Sequence, residues 1–353
     1  MNLEDLGYNK HLEAINRDGI PGDFEVGRVI AEYKERYTVR TIHGEYQAEI
    51  TGNLRYTATS REDFPAVGDW VELMVHDPDF AIIHKVLPRH SVIKRQAVSQ
   101  TGEVQVIAAN IDVAFIVQAV DRDFNMNRLE RYLTLCHTSK VSPVILLTKT
   151  DLIPENRLTG LIEEIQKRIE NVPVLAVSNK TLEGHNLLLE TIEKGKTYCL
   201  LGSSGVGKST LLNHLSGKTI MKTNAISDST RKGKHTTSHR EMFFLDNGSI
   251  IIDNPGMREV GIADTGGGLE TTFDRIVSYA YTCQFKDCTH IHETGCAVLE
   301  ALEKGEIDEK AYENYLKLRR EKAHFESSVA QKRKKEKQFG KVLKNYKKYY
   351  AKK

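Results

Sequence analysis

The hydrophobic pattern changes character along the chain. From Glu25 to Leu87, short β-branched or aromatic runs recur: EVGRVIAEY, YTVRTI, YQAEI, DWVELMV and FAIIHKV. Gly44, Gly52-Asn53, Gly68-Asp69 and Asp77-Pro78 punctuate them. Five short strands in this span predict a small barrel, with the OB-fold ahead of an SH3-like barrel. These strands carry no strong basic or aromatic bias, so the barrel alone assigns no function. Ahead of them, residues 1–22 read as a short helix and a Pro-Gly turn.

Residues 88–105, with Pro88, Arg89, Lys94 and Arg95, read as a linker. Continuous apolar runs follow at Ile111–Val120, Pro143–Thr148, Val172–Ser178 and Thr197–Gly202, with helical spacing between them at Asn127–Cys136, Leu158–Ile169 and Leu187–Ile192. MFFLD and SIIID add two more strands. Strands that alternate with helices predict a doubly wound parallel α/β sheet. The chain after Gly268 reads as helical, broken by a Cys/His cluster.

Gly202-Ser203-Ser204-Gly205-Val206-Gly207-Lys208-Ser209-Thr210 follows a strand and opens a helix, the context of a phosphate loop. Its glycines let backbone N–H groups wrap phosphates without Cβ clashes, and the helix N-terminus adds partial positive charge. Lys208 is expected to reach the β- and γ-phosphates and Ser209 to hold Mg²⁺. Asp253-Asn254-Pro255-Gly256 ends the SIIID strand, 45 residues after Lys208. Asp253 suits a water-mediated Mg²⁺ contact, and Gly256 a backbone N–H near the γ-phosphate. Thr148-Lys149-Thr150-Asp151 resembles the guanine motif NKxD, in which the aspartate accepts from the guanine N1 and N2 groups. Thr148 stands where that motif has asparagine. Ser178 and Asn179 end the next strand and fit the motif that cradles the base. An ATPase or small-molecule kinase is disfavoured by Asp151, because adenine lacks that donor pair.

The order of these motifs is permuted: base recognition precedes the phosphate loop, and DNPG comes last. Between loop and DNPG lies Thr230–Thr237, TRKGKHTT, read as a switch in which Thr236 or Thr237 ligates Mg²⁺. Met257 follows DNPG and cannot orient a water. His235 is the candidate group for that task, or else a partner supplies it. Slow intrinsic hydrolysis follows. Cys283, Cys288, His290 and Cys296 offer three thiolates and an imidazole, a closed set for one structural tetrahedral zinc; His292 is an alternative fourth ligand. Cys136 and Cys199 read as buried, inert thiols.

Composition adds one asymmetry. Gln331–Lys353 holds eleven Lys or Arg and one Glu, which leaves the preceding 330 residues at a net of −8. The tail reads either as a solvated helix or as an arm for RNA, with Tyr346, Tyr349 and Tyr350 among the lysines. No 18-residue apolar stretch occurs, and the start MNLEDLGYNK lacks a basic-then-apolar pattern. The expectation is a cytoplasmic chain without membrane contact.

This combination, from the barrel to C-x4-C-x-H-x5-C, together with DFNMNRLERYL at Asp123–Leu133, resembles the ribosome small-subunit-dependent GTPase A family over about residues 25–320. The resemblance implies an N-terminal extension (1–24), an OB-fold (25–88), a circularly permuted GTPase domain (89–268), a zinc-binding helical domain (269–330) and a basic tail (331–353). It implies a late assembly factor whose GTP hydrolysis is stimulated by the small (30S) ribosomal subunit. GTP/GDP and 16S rRNA are the implied partners, with a switch histidine, His235, in hydrolysis. A monomer is expected. The other reading is a GTP-binding, RNA-associated switch with little turnover of its own.

Overall fold

The computed structural model describes residues 2–8, 22–33, 36–96, 104–121, 123–217, 240–253 and 267–327. The expected barrel is present. Strands β1 (Glu25–Tyr33), β2 (Arg36–Arg40), β3 (Glu45–Ile50), β4 (Trp70–Asp77) and β5 (Phe80–Val86) run in the order β1-β2-β3-β5-β4, and β4 pairs back onto β1 to close the ring. The β3–β5 pairing is parallel and the others are antiparallel. Helix α1 (Gly52–Thr57) follows β3, its first turn capped by the Thr51 hydroxyl, which accepts from the Leu54 N–H at 3.1 Å. This strand order with a helix after β3 is the OB arrangement, not the SH3-like one. Inward-facing Val29, Val39, Ala48, Val71, Leu73 and Ile83 fill the barrel. Gly27 allows β1 to cross this interior, because a Cβ there would lie 2.5 Å from Val39 Cγ1.

The expected linker is in part a hairpin. Strands β6 (Val92–Gln96) and β7 (Val104–Ala109) form an antiparallel pair whose Ile93, Val106 and Ile107 are buried. Lys94 and Arg95 mask the pattern: Lys94 meets the Glu62 carboxylate, and Arg95 bonds Gln105 across the pair at 3.2 Å.

The parallel sheet comprises β8 (Val113–Ala119), β9 (Ser142–Thr148), β10 (Val174–Ala176), β11 (Thr197–Leu201) and β13 (Ile250–Asp253), in the order β10-β9-β8-β11-β13. Strand β12 (Arg240–Phe244) adds antiparallel to β13. Helices α2 (Met126–Ser139), α3 (Glu155–Arg168), α4 (His185–Glu190) and α5 (Lys208–Ser216) connect these strands. Two apolar cores result, one around Ile116, Leu133, Leu147 and Ile252, the other around Phe115, Leu146, Leu200 and Leu212.

Barrel and parallel sheet are not separate layers. Strand β12 pairs antiparallel with β1, Ala31 opposite Glu241 and Glu32 opposite Arg240, so eleven strands form one continuous sheet. Arg240 closes the seam with Glu32 at 3.2 Å and the Val106 carbonyl at 3.1 Å. Beside the seam lies Arg28, which is 1% exposed. Its guanidinium donates to the carbonyls of Leu6 (2.5 Å), Asn110 (3.0 Å) and Gly68 (3.3 Å) and to Thr197 Oγ1 (2.8 Å). It also sits 5.3 Å from the Trp70 ring centroid. Burial lowers its pKa to about 10, with Asp112 and Asp69 opposing, so it stays charged near neutrality.

The C-terminal part holds α6 (Gly268–Thr272), α7 (Asp274–Ala280), α8 (Ala297–Glu303) and a helix over 309–327, here α9, around Leu269, Phe273, Val298 and Leu318. It docks on α2. Gly268 lies so close that a Cβ would be 2.5 Å from the Thr134 carbonyl. Arg131 makes a bidentate pair with Glu321 at 2.7 and 2.8 Å. No helix among the described residues is long and apolar enough to cross a membrane.

Replacing Arg28 tests the junction. Arg28→Met keeps much of the volume but strands four buried acceptors, each worth about 1–3 kcal/mol when unsatisfied. Unfolding by denaturant is expected to show a loss of about 3–5 kcal/mol. An unchanged midpoint contradicts this account of the junction.

Candidate functional site

The glycine loop leaves the C-terminal end of β11 and enters α5. Gly202 (φ 152°), Gly205 (φ 83°) and Gly207 (φ 99°) all take backbone conformations that side chains resist. At Gly202 a Cβ would also stand 2.3 Å from the Val117 carbonyl, so the loop needs glycine there twice over. Lys208, Ser209 and Thr210 begin α5. The Lys208 ammonium folds back to donate to the carbonyls of Gly202 (2.7 Å) and Ser203 (2.5 Å). Lysine and loop are therefore poised as one unit.

The two base-recognition motifs grip that loop from the neighbouring strands. The buried Thr148 hydroxyl donates to the Val206 carbonyl at 2.6 Å. Asn179 Nδ2 donates to the Gly207 carbonyl at 3.1 Å. Thr148, the departure from the NKxD pattern, thus ties the base side of the site to the phosphate side with its own hydroxyl. Lys149 adopts φ 59° and donates to Asp121 Oδ2 at 2.8 Å. Ser178 Oγ donates to Asp151 Oδ1 at 2.7 Å and accepts from the N–H groups of Lys180 and Thr181, which fixes the turn around the carboxylate. Asp253 ends β13, buried, one residue past the Ile252–Cys199 pair and so at the sheet edge from which the loop departs. Thr148, Lys149, Asp151, Ser178, Asn179, Asp253 and residues 202–210 therefore converge at the C-terminal ends of β9, β10, β11 and β13, where open α/β sheets bind ligands. His235, Thr236, Thr237, Gly256 and Met257 lie outside the described residues.

Sequence reading missed part of the site. Arg128 Nη1 donates to Asp123 Oδ2 at 2.7 Å and to Ser203 Oγ of the glycine loop at 2.9 Å. The buried Gln118 side chain holds both the N–H and the carbonyl of Asn125, the cap of α2, at 2.9 Å each. DFNMNRLERYL contains Asp123, Asn125 and Arg128, but nothing in its spacing points at a loop 75 residues away.

A second cluster forms between α7 and α8. One ligand atom each from Cys283, Cys288, His290 and Cys296 lies within 4.8 Å of the others. His290 Nδ1 stands 3.6 Å from Cys283 Sγ and 3.5 Å from Cys296 Sγ. His290 takes φ 61°, and its carbonyl accepts from the Tyr312 hydroxyl, so the ring is aimed inward by backbone and second contact together. His292 is exposed and outside the cluster, whereas His290 is buried within it. Three soft thiolates and one imidazole fit a closed structural Zn²⁺ site.

Comparisons with known proteins agree with this geometry. The family model described as RsgA GTPase matches residues 86–263. An ABC transporter model matches 186–348, overlapping it across the glycine loop. The small ribosomal subunit biogenesis GTPase RsgA 1 of Bacteroides thetaiotaomicron is 40% identical over 351 residues, 99% of this chain and 98% of that protein. RsgA of Syntrophotalea carbinolica is 39% identical and covers 95% of each chain. Among solved structures, YjeQ from Thermotoga maritima superposes with a TM-score of 0.64 at 27% identity, covering 85% of this chain and 99% of that one. YloQ, a circularly permuted GTPase, matches in fold at a TM-score of 0.62, with 24% identity and coverage of 86% and 96%.

If the Cys₃His cluster holds zinc, Cys296→Ser removes a ligand from its buried side. Elemental analysis is expected to fall from about one zinc per chain towards zero, and the thermal midpoint of the helical region to drop, because metal binding energy is folding energy. Full zinc content in that variant contradicts the assignment.

Proposed function

Because the chain belongs to the RsgA GTPase family, we propose that it is a GTP-hydrolysing assembly factor of the small ribosomal subunit, acting late in maturation and stimulated by that subunit. The observation that carries this reading is the joining of base and phosphate motifs through Thr148–Val206 and Asn179–Gly207. A guanine base read at one end is thereby registered at the phosphates. The same reading divides the chain into an OB-fold at 25–88, a permuted GTPase domain at 89–268, a zinc-binding helical domain at 269–330 and the tail at 331–353. The subunit's 16S rRNA, a monomeric chain and a cytoplasmic location belong to this proposal.

In mechanism, Asp151 accepts from guanine N1 and N2 while the Lys149 stem lies along the base plane. The backbone N–H groups of 203–208 surround the phosphates. Lys208 exchanges the neutral carbonyls of Gly202 and Ser203 for anionic β- and γ-phosphate oxygens, which are the stronger acceptors for an ammonium. Ser209 is the loop residue suited to Mg²⁺, with Asp253 behind a water and Thr236 or Thr237 from the switch. That ion, bound with GTP, neutralises charge on the β- and γ-phosphates. His235 orients the attacking water, since Met257 stands where a glutamine would serve. Gly256 offers its N–H near the γ-phosphate. The zinc region then supplies a cross-linked platform rather than chemistry.

Turnover of GTP against ATP, with and without purified small subunits, decides this. GTP-selective hydrolysis rising at least about tenfold with subunits is expected, together with its loss in Lys208→Ala. Equal use of ATP, or indifference to subunits, overturns the assignment; tight GTP binding without stimulated turnover selects the binding-only switch. Base recognition has its own test. Asp151→Asn replaces an acceptor by a donor, so the KM for GTP should rise by about 10²-fold or more while xanthosine triphosphate becomes a substrate. An unaltered GTP preference removes Asp151 from base recognition.

A further inference from the structure

Asp123, Arg128 and Ser203 form a closed triangle at the edge of the glycine loop. Arg128 Nη1 donates to Asp123 Oδ2 at 2.7 Å, to the Asp123 carbonyl at 3.2 Å and to Ser203 Oγ at 2.9 Å. The Ser203 hydroxyl donates in turn to the same Asp123 Oδ2 at 2.6 Å. Asp123 lies in the turn after β8, and Arg128 in the first turn of α2. The Ser203 side chain is thus pinned to α2 while its carbonyl accepts from the Lys208 ammonium at 2.5 Å. An arginine far from the loop in sequence is one residue removed from the lysine that meets the phosphates.

We propose that Arg128, oriented by Asp123, is a positioning residue for GTP hydrolysis: it fixes Ser203, and through the Ser203 backbone it sets where the Lys208 ammonium stands. The proposal rests on the reading of the chain as a GTPase. Arg128 reaches the carboxylate and the hydroxyl through one nitrogen, Nη1, which the rigid guanidinium plane holds in a fixed direction, whereas a lysine ammonium on its flexible stem is not held there. Loss of Arg128 leaves the Ser203–Asp123 hydrogen bond in place but removes the cation that fastens both residues to α2, so the pair and the loop carbonyl attached to it are free to shift together. Lysine placement matters most when charge shifts on the γ-phosphate, so the effect belongs in kcat rather than in ground-state affinity. Both partners are partly exposed, 30% and 42% by side chain, so the effect is a moderate one.

The test uses the full chain, GTP turnover with and without small subunits, GDP binding by titration, and the thermal midpoint. Arg128→Ala is expected to lower kcat by about tenfold under both conditions, with the GDP Kd changed by less than about threefold. Ser203→Ala should lose a similar factor, and the double variant should be no worse than either single, as for residues acting through one contact. Arg128→Lys should recover only part of the loss. A wild-type kcat in Arg128→Ala, losses that multiply in the double variant, or an equal loss of GDP affinity each overturns the proposal. If Arg128→Ala lowers the thermal midpoint, Arg128→Lys carries the test: reduced kcat at wild-type GDP affinity supports the role, and wild-type kcat refutes it. Lys208→Ala separates the two readings. An inactive Lys208→Ala beside a fully active Arg128→Ala sinks this proposal alone, whereas an active Lys208→Ala removes the GTPase reading and this one with it.

Discussion

A single buried guanidinium sets the geometry on which the nucleotide site rests. Arg28 has no carboxylate within hydrogen-bonding reach; its acceptors are three carbonyls and one hydroxyl from the N-terminal turn, the β4 entry, the β8 entry and β11. Those acceptors are 22 to 169 residues away in sequence. Fixed dipoles replace water around the charge, the condition for holding a cation inside a protein. Thr197, one of the acceptors, starts the strand whose end becomes the glycine loop. The barrel therefore does not hang from the GTP-binding sheet by a tether. It is clamped to the root of the strand that carries the phosphates.

The β1–β12 seam extends the same logic. Strand β12 hydrogen-bonds the barrel on one side and β13 on the other. Glu32 shows the tension at this junction. Burial pushes its carboxyl up, and the charge and hydrogen bond of Arg240 pull it back. Paired backbone therefore runs without a break from the barrel edge at β1 through β12 to β13 and Asp253.

How much of this was legible in the sequence follows from the range of each interaction. Short β-branched and aromatic runs between turn residues announced the barrel, although β1 itself is buried from Val26 to Ala31 and shows no two-residue alternation. GSSGVGKST announced its own conformation, since Gly202, Gly205 and Gly207 are demanded by local backbone geometry. The Cys₃His spacing announced a cluster that the structure brings within 4.8 Å. Strands β6 and β7 escaped because Lys94 and Arg95 find partners in Glu62 and Gln105, which a pattern of polar residues does not reveal. Arg28 carried no signal in the sequence, because its acceptors lie 22 to 169 residues away. Thr148 read as a weakened motif, and its bond to the Val206 carbonyl was invisible because it joins elements 58 residues apart.

The permuted order gains its meaning from α2. In this order the chain leaves β13 and re-enters at Gly267-Gly268 against α2, whose other end touches the glycine loop through Arg128 and Ser203. The helix spans 14 residues, about 21 Å at 1.5 Å per residue. Between its ends, Glu130 is buried and held by Arg168 at 2.6 and 2.9 Å and by Asn314 of α9 at 2.5 Å. Burial raises the Glu130 pKa, with the hydrogen bonds and charge of Arg168 and the Asn314 amide opposing the shift. Of these two partners only Asn314 belongs to the C-terminal part, and a hydrogen bond to a charged group is worth about 1.5–3 kcal/mol. Together with the Arg131–Glu321 pair it fastens the helices of the Cys/His cluster to α2. The Arg128–Ser203 contact at one end of α2, with the Gly268 and Glu321 contacts further along it, joins the glycine loop to the helices beyond Gly268 through packed side chains.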